Sequence, residues 1–373
     1  MKKKFLKNIE WTVLFCVLTL FIIGLVALRS ATKSTEYVEF YKQIQWFVIS
    51  VPFLVIFTVA DYEKIADLSP IYYIISIVLL IAVLFTNPIS GASSWFNFGF
   101  LSFQPAEISK IFVIIFVSKM IASLQLKGKN EINRIYKLLV PILFMAIPTV
   151  LIAMQPDYGT AIAYVVAFTF IILIAGLGRG YVFTMLILLI SSSYFLITKI
   201  LPIKAPHAIK RIEVFLNPGI DPRGAGYNVL QSRLAIGSGQ VFGMGFGQGN
   251  QTQMGYLHPK TTDFIFSLIS EEFGFVVSAI VIILYVFLIV KAIYISRTSK
   301  DNLGSYIAIG IAGILTYHMV ENIAMTMGLL PITGIPLPFV SYGGSSLITN
   351  FMLVGMLLNI SGRRQKSIYV DVT

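Results

Sequence analysis

Charge is what this sequence has least of. Lys, Arg, Asp and Glu make up 12% of its 373 residues, half of the roughly 25% carried by a soluble globular domain. A water-soluble protein with buried helices would lack a polar coat, so that class does not fit. Cysteine is nearly missing. Cys16 stands alone in an apolar run, which leaves neither a disulfide framework nor a thiolate metal site. The glycines of residues 237–249 show no G-x-G-x-x-G spacing and follow no strand pattern, so a dinucleotide fold fails. No internal repeat stands out, which weighs against a transporter built from inverted repeats. The start does not read as a cleavable leader either. The run Trp11–Leu28 is too long for one and ends at Arg29 with no A-x-A-like site, so it reads as an uncleaved first span.

What remains is hydrophobicity. Apolar residues account for 57% of the chain, and its mean hydropathy is +0.83. Their runs predict an all-α polytopic membrane protein with about ten transmembrane helices, each near the length that crosses a bilayer. The spans are 11–29, 44–60, 71–86, 105–124, 138–155, 159–176, 181–200, 263–290, 305–327 and 341–360. Residues 1–373 then form a single integral membrane domain. Residues 201–262 form a large extracytoplasmic loop between the seventh and eighth helices.

In a soluble protein the net charge of +11 would suggest nucleic acid as a partner. Here the basic residues lie between apolar runs and set orientation instead. The Lys2–Lys7 start and the loops with Lys64, Lys127, Arg179, Lys291 and Arg363 share one side. Short loops on the other side carry only Arg29, Lys33 and Lys42, against Glu36 and Glu39. The positive-inside rule puts the basic side, and both termini, in the cytoplasm. The long 201–262 loop is basic although outside; long loops are exempt from the rule, but one longer than about 15 residues asks for a function or disorder. Val229–Ile236 reads as a short amphipathic helix there, and Val241, Phe242 and Phe246 as apolar anchors. The loop is expected to fold back onto the membrane face or into a cavity between helices.

Four outward segments gather the polar residues. In Gly91–Lys110, Trp95 suits an interfacial aromatic. Glu107 and Lys110 share a helix face, either as a structural ion pair or as the lining of a polar cavity. In Gln155–Thr160, Asp157 suits a helix cap. The long loop holds Arg211, Arg223, Gln231, Ser232, Arg233 and a glycine series that suits a flexible loop or an approach to phosphate. At its exit, Thr262 or Asp263 suits a cap for the eighth span. In Gly328–Ser346, three prolines and four glycines predict non-helical backbone that re-enters the membrane and walls a cavity. His318, Glu321 and Asn322 on the ninth span are too few to claim a metal and read as a satisfied intramembrane polar cluster. The shared address of these segments on the outer side is the informative part.

The strings QPDYGTA at 155–161, FLNPGIDPRGAGYNVLQSRLAIGSG at 215–239, TDFIF at 262–266 and GLLPITGIPLPFVSYGGSS at 328–346 resemble the SEDS proteins (shape, elongation, division, sporulation). They are closer to the RodA branch than to the FtsW branch, and the resemblance spans essentially the whole chain. It implies a peptidoglycan glycosyltransferase of the bacterial cytoplasmic membrane that polymerises lipid II at the outer face during cell elongation and shape maintenance. It implies as partners lipid II, the growing lipid-linked glycan strand, a class B penicillin-binding protein acting as transpeptidase, and other elongation-complex membrane proteins. The family's essential aspartate falls on Asp263. Its other motif positions fall on Asp157 and on Trp95, Gln104, Pro105, Glu107 and Lys110. Three departures stand out: Ser94 where a basic residue is usual, Lys260-Thr261 in place of Glu and His, and Glu321 in place of an apolar residue. Glu321 has no functional account at this level.

The implied reaction joins the GlcNAc 4-hydroxyl of one lipid-linked disaccharide to the MurNAc anomeric carbon of another. An α-linked pyrophosphate leaves and a β-1,4 bond forms, so configuration inverts. One base suffices, unlike the two carboxylates of glycoside hydrolysis, and Asp263 takes that role. Arg211, Arg223, Arg233 and Lys260 are candidates for the leaving pyrophosphate. Trp95, Glu107, Lys110, Asp157, Gln231, Ser232, Thr262, Ser341, Gly343 and Gly344 are candidates for the head-group cavity. No resident metal site is expected; a divalent cation, Mg or Mn, is the one cofactor candidate. The rival readings are a lipid II flippase and a non-catalytic scaffold for the penicillin-binding protein.

Overall fold

A computed structural model describes residues 2–87, 93–97, 102–126, 128–195, 198–199, 206–222 and 224–364. The apolar runs fold as helices α1 (Trp11–Ala31), α2 (Val38–Val59), α3 (Ser69–Ala82), α4 (Pro105–Leu124), α5 (Ile135–Met154), α6 (Tyr158–Ile174) and α7 (Arg179–Phe195). The long loop contributes α8 (Pro206–Leu216) and α9 (Ala225–Ser238); α10 (Ile265–Arg297), α11 (Asn302–Thr326) and α12 (Gly344–Arg363) complete the set. Among the described residues α1, α2, α5, α10, α11 and α12 are long and apolar enough to cross a membrane, and α3 and α6 are shorter apolar helices. The strand content described is one short antiparallel ladder, Phe96 with Phe103 and Asn97 with Ser102.

The burial pattern is inverted relative to a soluble bundle. α2 exposes Val48, Ile49, Phe53, Val55 and Ile56, and α3 exposes Ile71, Ile74, Ile75 and Val78. Apolar faces of this extent belong against lipid. α12 is the opposite case: every residue from Thr349 to Gly362 is buried. It reaches that central place because small residues let neighbours close in. A Cβ on Gly355 would stand 2.7 Å from the Leu54 carbonyl oxygen of α2. Its polar side chains are satisfied in place, as where Asn359 Nδ2 donates to the Phe57 carbonyl at 2.7 Å.

At one end of the bundle the chain termini meet in ion pairs. Glu10 pairs with Arg364 at 2.7 Å and with Lys291 at 3.2 Å. Beside it, Arg363 faces Asp61 at 3.6 Å, Lys300 pairs with Glu63, and the Tyr62 hydroxyl donates to Asp301 at 2.6 Å. Glu10, the loop at Asp61–Glu63, the end of α10 with Lys300, and the end of α12 thus meet at one end of the bundle.

Two features differ from expectation. α9 extends beyond Val229–Ile236 on both sides, burying Gly226, Val229, Ser232 and Ala235. Within the glycine series Gly239, Gly243 and Gly249 are packing positions, with neighbours too close for a Cβ. α10 is broken at Gly274 (φ 76°, ψ −173°), a conformation nearly exclusive to glycine. The loop backbone fills the break: Met244 N donates to the Glu271 carbonyl, Gly245 N to Glu272, Phe275 N to Gln240 and Val276 N to Val241. Contact is so close that a Cβ on Gly243 would sit 2.2 Å from the Glu272 carbonyl oxygen.

Gly243→Ala should therefore destabilise the protein by about 1–3 kcal/mol or more, through strain at positive φ and a backbone clash. Gly237→Ala, inside α9 with open space around it, should be neutral or stabilise by up to about 1 kcal/mol. Thermal unfolding of the purified proteins in detergent measures both.

Candidate active site

The polar residues converge on a four-residue ridge, Thr333-Gly334-Ile335-Pro336, within the non-helical stretch between α11 and α12. Prolines 331, 336 and 338 remove donors from that stretch, and its buried carbonyls need partners from elsewhere. Each finds one. Arg211 Nη1 on α8 donates to the Thr333 carbonyl at 3.3 Å. Asn322 Nδ2 on α11 donates to Ile335 at 2.8 Å, and the Tyr285 hydroxyl on α10 donates to Pro338. Gln43 Nε2 on α2 donates to Ser341 at 3.0 Å. The expected cavity wall of irregular backbone is present.

Asp263 is fixed beside this ridge. It lies in a turn before α10, since that helix begins at Ile265 and not at 263 as expected. The same Asn322 amide that holds Ile335 donates to the Asp263 carbonyl at 3.0 Å. Ser341 Oγ donates to the Thr262 carbonyl at 2.7 Å, and Tyr342 N to Thr261 at 2.9 Å. A Cβ on Gly334 would be 3.4 Å from Asp263 Oδ2, so the ridge borders the carboxylate directly. Burial pushes the Asp263 carboxyl above the usual carboxylate range. The Thr262 hydrogen bond and the charges of Arg211 and His258 oppose that rise.

A second group of charges lies behind Pro336. Lys110 Nζ donates to Glu107 Oε1 at 2.7 Å and approaches His318 Nε2 at 3.1 Å, all three side chains being buried. An ammonium has only donors, so Nε2 accepts, and the Nδ1–H points at the Pro336 carbonyl at 3.2 Å. Asp157 caps α6 by accepting from Thr160 N at 3.1 Å, and also accepts from Gln104 Nε2 at 2.8 Å. Burial raises its pKa, with the Thr160 hydrogen bonds opposing. Gly159 then lets α6 press on the ridge: its Cβ would be 2.8 Å from the Ile335 side chain.

Arg211 and Arg233 flank a cavity of about 210 Å³ between α8, α9 and residues 328–332. The remaining candidates fall elsewhere. Ser232 is buried and binds α9 to its neighbours through Ser267 Oγ and the Thr326 carbonyl, both at 2.6 Å. Lys260 donates to the Thr252 carbonyl at 2.6 Å, and Glu272, Glu39 and Glu271 lie within its electrostatic reach. Gly343 N donates to Gln43 Oε1 at 3.2 Å, and Gly344 packs on the Trp46 ring. Gln231 and Trp95 are half-buried. Arg223 lies outside the described residues. Sequence reasoning did not single out His258, Thr333 or Gly334 as site residues, although Thr333 and Gly334 lie in the Gly328–Ser346 stretch read there as a cavity wall.

The FtsW/RodA/SpoVE cell cycle protein family model matches residues 10–366. The chain belongs to this family. Among its relatives is the peptidoglycan glycosyltransferase RodA of Treponema pallidum (strain Nichols), 31% identical across 98% of this chain and 100% of that protein. Stage V sporulation protein E of Bacillus subtilis (strain 168) is 35% identical across 92% and 94%. Peptidoglycan glycosyltransferase MrdB of Escherichia coli (strain K12) is 35% identical across 80% and 78%. The fold of this FtsW/RodA/SpoVE protein is also that of solved structures. A chain from a peptidoglycan synthase complex described as coordinating polymerization and crosslinking matches with TM-score 0.79 at 24% identity, covering 95% and 97% of the two chains. Thermus thermophilus rod shape determining protein RodA matches with TM-score 0.71 at 24% identity, covering 96% and 98%.

Glu107→Gln should destabilise this family member by about 3–5 kcal/mol, because it leaves Lys110 buried without its counter-charge. Replacing both, Glu107→Leu with Lys110→Met, should recover much of that loss, as read from thermal unfolding in detergent.

Proposed function

We infer that this chain is a peptidoglycan glycosyltransferase of a bacterial membrane, with Asp263 as its general base. It acts on lipid II, pairs with a class B penicillin-binding protein, and crosses the membrane about ten times, as the apolar runs suggest. The basic, ion-paired end holding both termini is cytoplasmic by the positive-inside rule, and the ridge with Asp263 faces outward. The observation that carries the reading is a half-buried carboxylate, on a turn pinned through its backbone carbonyls, paired with an arginine-flanked cavity through one shared residue, Arg211.

Asp263 accepts the proton of the attacking sugar hydroxyl as the new bond forms. Its raised pKa makes it a stronger base than an ordinary aspartate. Arg211 and Arg233 meet the negative charge that grows on the departing pyrophosphate. At about 210 Å³ their cavity is smaller than the roughly 300 Å³ of a typical ligand pocket. It suits phosphate groups and not a whole disaccharide. Among the described residues no three His, Cys, Asp or Glu side chains converge as metal ligands. A divalent cation here would take most of its ligands from the pyrophosphate and water.

Purified Asp263→Asn protein with its penicillin-binding partner should polymerise labelled lipid II about 10²- to 10⁴-fold more slowly. A wild-type rate would remove Asp263 from this role, and lipid movement without sugar transfer would favour a flippase. The base works only when ionised. Activity should therefore fall as pH drops through the raised Asp263 pKa, giving an acid limb above the ordinary value of about 4. Arg211→Ala removes a charge that favours the carboxylate, so the limb should move to still higher pH in a pH–rate profile.

A further inference from the structure

Glu321 is a buried charge on α11 that the mechanism leaves unused. Its Oε1 accepts a hydrogen bond from Thr333 Oγ1 at 2.7 Å. A carboxylate has only acceptors, so the bond fixes the direction of the Thr333 hydroxyl. Thr333 is gripped from the other side as well, where its carbonyl accepts from Arg211 Nη1 at 3.3 Å. From α6, a Cβ on Gly159 would stand 3.1 Å from Thr333 Cβ. The next residue is Gly334, in the left-handed region at φ +77°, and it forms the wall against Asp263 Oδ2. Three helices and the wall of the carboxylate thus depend on where one threonine is held.

We propose that Glu321 is a positioning residue: through Thr333 it anchors helix α8, which bears Arg211, and the Gly334 wall, keeping the cation and Asp263 in register. The proposal rests on the reading of Asp263 as base. The Arg211 contact is exposed and near the upper length of a hydrogen bond, so it cannot orient Thr333 by itself. The buried carboxylate does that. An amide at 321 can still accept from the hydroxyl, whereas an alkyl group cannot. Glu321→Gln and Thr333→Ser should therefore preserve the anchor, and Glu321→Leu and Thr333→Val should release it.

Two readouts test this. Cys16 is the one native cysteine and is buried, so a nitroxide can be attached at Glu213→Cys, an exposed site on α8. Its spectrum should show a more mobile helix in Glu321→Leu and Thr333→Val and wild-type mobility in Glu321→Gln and Thr333→Ser. In lipid II polymerisation by the full chain with its partner, kcat should drop roughly 10- to 100-fold in the first two variants, with KM little changed. The conservative pair should recover it. Wild-type label mobility in both Glu321→Leu and Thr333→Val would overturn the anchor, and so would a mobile helix with undiminished kcat. A fully active Asp263→Asn protein would remove the base reading alone, and label mobility then decides the anchor by itself.

Discussion

The demand that organises this molecule is that of unpaired peptide groups in a dry place. Residues 328–343 form no helix, only one hydrogen-bonded turn at Leu337–Ser341, and much of the stretch from Ile335 to Ser341 is buried. An unsatisfied peptide group in such surroundings is worth several kcal/mol against the fold. Gln43, Arg211, Tyr285, His318 and Asn322 each donate to one of its carbonyls. They come from α2, α8, α10 and α11, so satisfying one short segment ties four distant parts of the chain together. The chemistry is assembled as a by-product of that tie. Asn322 cannot hold Ile335 without also holding Asp263, and His318 cannot hold Pro336 without also meeting Lys110.

This explains why buried polar residues are so dense in an apolar protein. Glu107, Lys110 and His318 are each at most 2% exposed. They are tolerable in hydrocarbon because each neutralises or hydrogen-bonds another. The small residues serve the same end by a different route. Gly159 and Gly334 carry no side chain that would keep α6 or Asp263 away from the ridge.

Much of this was legible in the residue order, for identifiable reasons. The long apolar helices were legible because a bilayer fixes the length of an apolar run. The Glu107–Lys110 pair was legible because three-residue spacing on a helix has one geometric meaning. The irregular wall was legible from its prolines. Other features depend on contacts between remote positions. Gly243 reads as a flexible residue until Glu272 is seen pressed against it. Thr333 lies in that wall, but its role there is not a local one, since its partner Arg211 is 122 positions away. Ser232 and Lys260 show the converse error of sharpness. The sequence puts them in the same polar stretch as Asp263, but does not show that they are engaged with Ser267 and Thr252.

The break at Gly274 separates two jobs within one span. Beyond it, residues 275–297 make a helix of about 34 Å, close to the roughly 30 Å thickness of the hydrocarbon layer. That length is enough to answer to the bilayer by itself. The turn and half-span before the break are bonded instead to the glycine-rich loop and the ridge. The loop bonds residues on both sides of the glycine, Glu271 and Glu272 before it and Phe275 and Val276 after it, so it splints the break and keeps the two parts in fixed relation. The turn that bears Asp263 thus takes its position from loop and ridge, while the apolar length beyond the glycine is left to match the lipid.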